Sequence, residues 1–174
     1  MPKDKTAASV NRKNEIIAAA IEVFAEIGYF KATTAQVAER AAISQPYVFK
    51  FFATKEALLL AALEVSWARI IDAFRQVIAS AASDRLEAEL IEAYDQLLLE
   101  HKNETLLQMQ AQTISDDTIR KAMRNGFRGV QGMVLEAFQK AGFPNAEERT
   151  TIFLAKGMLC NISMALAMPE LKGI

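Results

Sequence analysis

The stretch "TTAQVAERAAISQPYVFKFFATKEALL", residues 33–59, decides the fold. Thr33 and Gln36 stand at capping-box spacing: the hydroxyl accepts from one backbone N–H and the amide side chain reaches back to another. A helix therefore starts here and runs to about Ala41, with Val37 and Ala38 facing inward. Ser44 is placed to cap a short helix with Pro46 in its first turn, where a missing N–H costs nothing. Thr54 caps a long helix after it. Between these caps lie the rings of Tyr47, Phe49, Phe51 and Phe52, with Lys50 among them. With Val48 at the core-facing angle and about 100° per residue, Phe52 falls beside it, and Phe51 and Gln45 lie on the flanks. Pro46, Tyr47, Phe49 and Lys50 point away. Two helices joined by the turn "AIS" make a helix-turn-helix, with Ala38, Ile43 and Val48 closing the angle. Its outer face suits DNA. Aromatic edges meet thymine methyls and sugars, Lys50 offers charge or hydrogen bonds, and backbone N–H groups near Ser44 meet phosphates.

Outward from this stretch, the period stays helical. Ile16, Ile17, Ala20, Ile21, Phe24 and Ile27 form one stripe of a first helix over Asn11–Ile27, stopped by Gly28. The fourth helix runs from Lys55 to about Ala82. A fifth, capped by Ser83 or Asp84, carries "RLEAELIEAYDQLLLEH", and a short one covers Asn103–Thr113. "DDTIRKAMRNGFRGVQGMVLEAFQKAG" follows, with acids first and Lys140 last, as the helix dipole favours. The final helix is capped by Asn145 with Glu148. No segment alternates apolar and polar residues as a strand would. The expectation is an all-α chain with a three-helix DNA-binding unit at residues 1–54. A helical bundle for ligand binding and dimerisation fills 55–174.

Composition agrees. The 174 residues are 52% hydrophobic and 24% charged, as in a globular chain. The net charge of −1 hides an uneven distribution. Residues 1–55 carry eight Lys or Arg against five acids, so a basic head sits on an acidic body. The polar N-terminus lacks a signal-peptide core, and no apolar run approaches the ~20 residues that cross a bilayer. The expectation is a cytoplasmic protein with no membrane partner.

The segment Ile16–Leu63 resembles the N-terminal domain of the TetR/AcrR family of transcriptional regulators. The resemblance rests on "FAEIGY" (24–29), "TTAQVA" (33–38), "SQPYVFKFF" (44–52) and "TKEAL" (54–58). It implies three helices on DNA, a helical ligand-binding body and a homodimer. Carried onto this chain, it makes Thr34, Ser44, Gln45, Pro46, Tyr47, Phe49, Lys50 and Lys55 the candidate DNA contacts. Lys55, ill-placed for the dipole at a helix start, is assigned to a phosphate. The family's groove-facing tyrosine is Phe49 here, so that contact should be apolar. Ala42 stands where the family often has glycine. Alanine is strained in a left-handed turn, so a different turn geometry is expected.

The body suggests a cavity. Trp67, Ile70 and Phe74 share a stripe of the fourth helix, and Tyr94 and Leu98 one of the fifth. Met109, Gln112 and Phe127 join them as candidate ligand contacts, with Gln108 and Asn161 as further polar groups. For any single residue, plain core packing is the simpler explanation; the set as a whole argues for a small apolar or amphipathic effector. Gly126, Gly129, Met133 and Ala137 form a small-residue stripe, and Gly157, Cys160 and Met164 lie in a charge-free run. These seven are the candidate dimer interface. The stripe from Ile119 to Phe138 supplies the chain's own core. A lone His101 and a lone Cys160 offer neither a metal set nor a disulfide framework, and "GFRGVQG" lies inside a helix rather than after a strand. No metal or cofactor is expected. An enzyme would need a nucleophile–base pair that the sequence does not display. A helical adaptor whose basic head grips a protein is the alternative to a DNA-binding repressor released by its effector.

Overall fold

The computed structural model describes residues 3–172. Among them run eight α-helices and no strand: α1 Lys3–Ile27, α2 Thr34–Arg40, α3 Gln45–Phe49, α4 Lys55–Ser80, α5 Leu86–Glu100, α6 Lys102–Ala111, α7 Asp117–Lys140 and α8 Ala146–Leu166. A 3₁₀ turn, Pro169–Lys172, follows. Helix α1 starts well before Asn11. Hydrophobic periodicity marks only the part of a helix that packs, and once a turn is nucleated polar residues extend it at little cost.

The caps at the head form as their chemistry requires. The Thr33 hydroxyl accepts from the Gln36 N–H at 3.2 Å, and the Thr33 N–H donates to the Gln36 side chain at 2.9 Å. Thr54 accepts from the Ala57 N–H. Ser44 holds the N-cap position, yet its side chain makes no cap bond. In the body, α5 follows Arg85, without a side-chain cap from Ser83 or Asp84. Asn145 takes a left-handed conformation before α8 instead of capping it by side chain. Asp116 caps α7 by accepting from Thr118 and Ile119.

One core runs through both units. Ile16, Ala20 and Phe24 of α1 meet Val37, Val48 and Phe52, all buried, and Leu58, Leu59 and Leu63 continue that cluster along α4. Further along α4, Trp67, Ile70 and Phe74 join Leu90 of α5, Met123, Val130 and Phe138 of α7, and Phe153 of α8. A single helix thus carries the packing from the head into the body. Helix α6 lies against α1, α4, α7 and α8 at the junction.

Candidate functional site

The head presents a compact outer face. The α2–α3 turn closes through Ile43 N–H to Ala38 C=O at 2.9 Å and Ala42 N–H to Glu39 C=O at 3.0 Å. Ala42 adopts φ 53°, so the left-handed turn persists without glycine, contrary to the altered geometry expected from the alanine. The two hydrogen bonds and the buried Val48 hold it there against a cost of about 1–2 kcal/mol. Pro46, Phe49 and Lys50 are exposed, and Phe49 leaves 46% of its surface open. Tyr47 is only half exposed. Its ring meets Phe51 edge-on at 5.5 Å, and the Lys50 ammonium stands 5.0 Å over its face.

Other candidates on this face are already engaged. Thr34 is buried, and its hydroxyl accepts from the Gln45 side chain at 2.8 Å, tying the start of α3 to the start of α2. Lys55 departs most from its expected role. Its ammonium donates to the carbonyls of Tyr29 at 2.8 Å and Ala32 at 3.0 Å, and lies 4.5 Å over the Tyr29 ring. The lysine satisfies the carbonyls of the α1–α2 loop, which explains a cation at a helix start without invoking a phosphate. Arg40 pins α2 to α1 through Glu22 and Glu26, and these contacts hold the Glu26 carboxyl below its ordinary range. Nearer the N-terminus, Arg12 pairs with Glu15 and Lys13 stands over Phe52.

The body holds an open-sided cavity of about 300 Å³. Helix α4 contributes Trp67, Ile70 and Phe74, α5 contributes Tyr94, and α6 contributes Gln108 and Gln112. Phe127 of α7 and Asn161 of α8 complete the expected set. Leu98 and Met109 lie outside the lining. Leu98 is one turn beyond Tyr94 toward the head, and Met109 is rotated off the face shared by Gln108 and Gln112. The residues that the sequence did not single out come mainly from α8: Phe153, Leu154, Lys156, Met158 and Leu159, with Val130 of α7 and Ile91 and Asp95 of α5. Lys172 of the terminal turn reaches Asp95 at 2.6 Å, which raises the lysine above its usual range. Tyr94 donates to the Asn161 side chain at 2.8 Å, and burial pushes its phenol up to about 12.

The glycine stripe of α7 is largely spent inside the chain. A Cβ at Gly126 would sit 2.2 Å from the Trp67 ring, so this glycine is the floor beneath the indole. Ala137 is buried and Met133 packs against the core, while Gly129 is exposed beside Ile71 of the same chain. Gly157 and Cys160 line the cavity, and Met164 is half-buried. Burial raises the Cys160 thiol. On α8, apolar surface is left uncovered at Ile152, Leu159, Ile162 and Leu166, with exposed Ala155 between them. Their spacing of three and four residues makes one stripe. The sequence carried that signal, but the charge-free run drew attention to its small residues instead.

Residues 16–62 match the model of the bacterial regulatory proteins, tetR family. Over 85 residues the chain is 29% identical to the HTH-type transcriptional activator FasR of Mycolicibacterium smegmatis, covering 49% of this chain and 36% of that protein. The match therefore spans about a third of the relative's length. Among solved structures, a TetR transcription regulator of Haloarcula marismortui shares the fold with TM-score 0.78 at 21% identity, covering 94% of this chain and 92% of that one. The regulator FadR of Bacillus subtilis in complex with stearoyl-CoA shares it with TM-score 0.75 at 19% identity, covering 91% of each chain.

Proposed function

We propose that the chain, whose residues 16–62 match the tetR family of bacterial regulatory proteins, is a repressor. It binds a palindromic operator as a homodimer and lets go when a small apolar or amphipathic effector fills the body. The observation that carries this is the placement of α6. Gln108 and Gln112 line the cavity. On the same short helix, the Gln110 side chain donates to the Ala25 carbonyl of α1 at 3.0 Å. Gln108 also donates to Ser66 of α4, which runs into the head. Filling the cavity against α6 and α4 therefore shifts the elements that set the head's position, and an effector that prefers the shifted state weakens DNA binding. In this proposal Phe49, Lys50, Pro46 and Tyr47 read the groove, while backbone N–H groups near Ser44 and the flanking basic residues Arg12 and Lys13 meet phosphates.

The partner surface is the open stripe of α8, from Ile152 to Leu166. An exposed apolar stripe of this length calls for a cover, and a two-fold mate supplies the same stripe in return. The pair then holds two heads for half-sites about 34–36 Å apart or at a larger separation.

Selection of bound fragments from a random double-stranded DNA pool tests the proposal. An inverted repeat bound by a dimer is the expected product. No enriched sequence, or binding that ignores DNA length and sequence, would instead favour the adaptor with a protein partner. The FasR relative is named an activator, so a reporter fused to the recovered site decides the sign: repression rises with the protein and falls with the effector.

A further inference from the structure

Gln45 is the first residue of α3 and is exposed on the head. Its side chain is nevertheless held. The amide nitrogen donates to the Thr34 hydroxyl at 2.8 Å, joining two helices across their turn. Thr34 is itself a fixed point, only 9% exposed at the start of α2. The capping box of Thr33 with Gln36 sets that start, and Arg40 ties the far end of α2 to α1.

The bond is not needed to close the turn. Ile43 to Ala38 and Ala42 to Glu39 already close it through the backbone, and Val48 is buried in the core. What the bond fixes is the direction of a long, flexible side chain. A free glutamine on a wet surface samples many rotamers and surrenders them when it binds. One that is already held surrenders less, so its contact with a partner gains in strength.

The chemistry left over points to the partner. A glutamine amide has two protons to donate and one carbonyl oxygen to accept with. Thr34 takes one proton, which leaves one donor beside one acceptor. In the DNA major groove adenine presents the complement, an N6 donor beside an N7 acceptor. Guanine offers two acceptors there, cytosine a single donor and thymine a single acceptor. The exposed neighbours do not repeat the pattern. Pro46 and Phe49 have no hydrogen-bonding side chain, and Lys50 can only donate.

We propose that Thr34 is a positioning residue that presets Gln45 to read adenine in the operator half-site. The assignment rests on the DNA-binding reading above and deepens it by one base and one residue behind the contact.

Selection from the random DNA pool, repeated on full-chain variants, tests it. Gln45→Ala marks the position that Gln45 reads, as the one whose base preference disappears. Wild type should favour adenine there by about tenfold in competition gel shifts. Thr34→Val gives up the hydroxyl and should shrink that preference to within about threefold, while preferences elsewhere in the operator stay. Thr34→Ser should restore it. A purely structural loss would weaken every sequence alike. Gln45→Glu leaves the buried threonine untouched, and its acceptor-only carboxylate should turn the preference at the same position to cytosine. An adenine preference that survives Thr34→Val overturns the positioning role. Another favoured base in wild type, no position lost in Gln45→Ala, or adenine retained in Gln45→Glu overturns the base assignment. These outcomes leave DNA binding standing; a pool that enriches no sequence overturns the DNA-binding reading and this assignment with it.

Discussion

Lys50 and Lys55 differ by five positions and by everything around them. The first is exposed on the outer face of the head, with its ammonium over Tyr47. The second is bonded to loop carbonyls. Lys50→Ala is therefore expected to cost about 1–3 kcal/mol of operator binding and relax one base position, with stability unchanged. Lys55→Met should instead destabilise the protein by about 1–3 kcal/mol, because carbonyls lose a charged donor. Denaturant melts paired with gel shifts at several salt concentrations check both. A Lys55→Met protein of native stability whose salt slope flattens by about one would restore the phosphate contact. Tyr94 offers a pH test. Its phenol is raised from 10.0 to about 12, chiefly by burial. The raised value favours the protonated fold, so this stabilisation is complete below pH 10 and is lost as pH climbs from 10 to 12. The loss is on the order of 2–3 kcal/mol. Tyr94→Phe should lack that decline in urea melts run across this range; a parallel decline in both proteins would refute the assignment.

At the scale of elements, the helix-turn-helix stores strain in one residue. Ala42 sits at φ 53° where glycine pays no Cβ penalty. Ala42→Gly should stabilise the protein by roughly 1 kcal/mol, read as a higher denaturant midpoint; an unchanged or lowered midpoint contradicts the strain. Helix α8 carries the other element-scale prediction. Ile162 lies in the middle of its open stripe, 39% exposed. Ile162→Asp puts two carboxylates into the proposed two-fold contact, so light scattering should report a monomer with weakened operator binding. Far-UV circular dichroism should stay helical, since the side chain contributes little to its own chain's core. A dimer that survives Ile162→Asp with full operator affinity places the interface elsewhere.

Across the whole molecule, head and body are joined through α4 and α6. The Arg69–Glu104 pair at 3.0 Å and the Gln108–Ser66 hydrogen bond join α6 to α4, and the Gln110–Ala25 bond joins it to α1. Gln110→Ala removes the α6–α1 hydrogen bond while touching neither the cavity nor the outer face of the head. Effector affinity and operator affinity measured separately should stay near wild type. Their coupling should fall by about 0.5–2 kcal/mol, seen as operator binding that persists when effector saturates the protein. Full release by effector in Gln110→Ala would show that this hydrogen bond does not carry the signal.

The helices and caps of the head follow from local chemistry, and so were legible in the chain. Thr33 with Gln36 and Thr54 with Ala57 need only neighbours within a few residues, and the shared inward angle of Val48 and Phe52 follows from helical spacing alone. The aromatic wall of the cavity was legible too, because Trp67, Ile70 and Phe74 repeat at helical spacing on one face of α4. What periodicity cannot say is which neighbour a face meets. Gly126 looked like room for a second chain and is room for Trp67 of the same chain. Lys55 looked like a free cation, and carbonyls more than twenty residues earlier claim it. Gly157 and Cys160 turn to the cavity while Ile152 and Ile162 border open surface, a choice fixed by the rotation of α8 against α5 and α7. Local propensity and capping act over one helical turn. The partners of a glycine, a lysine or an apolar face depend on contacts distant in sequence, and those exist only once the helices have packed.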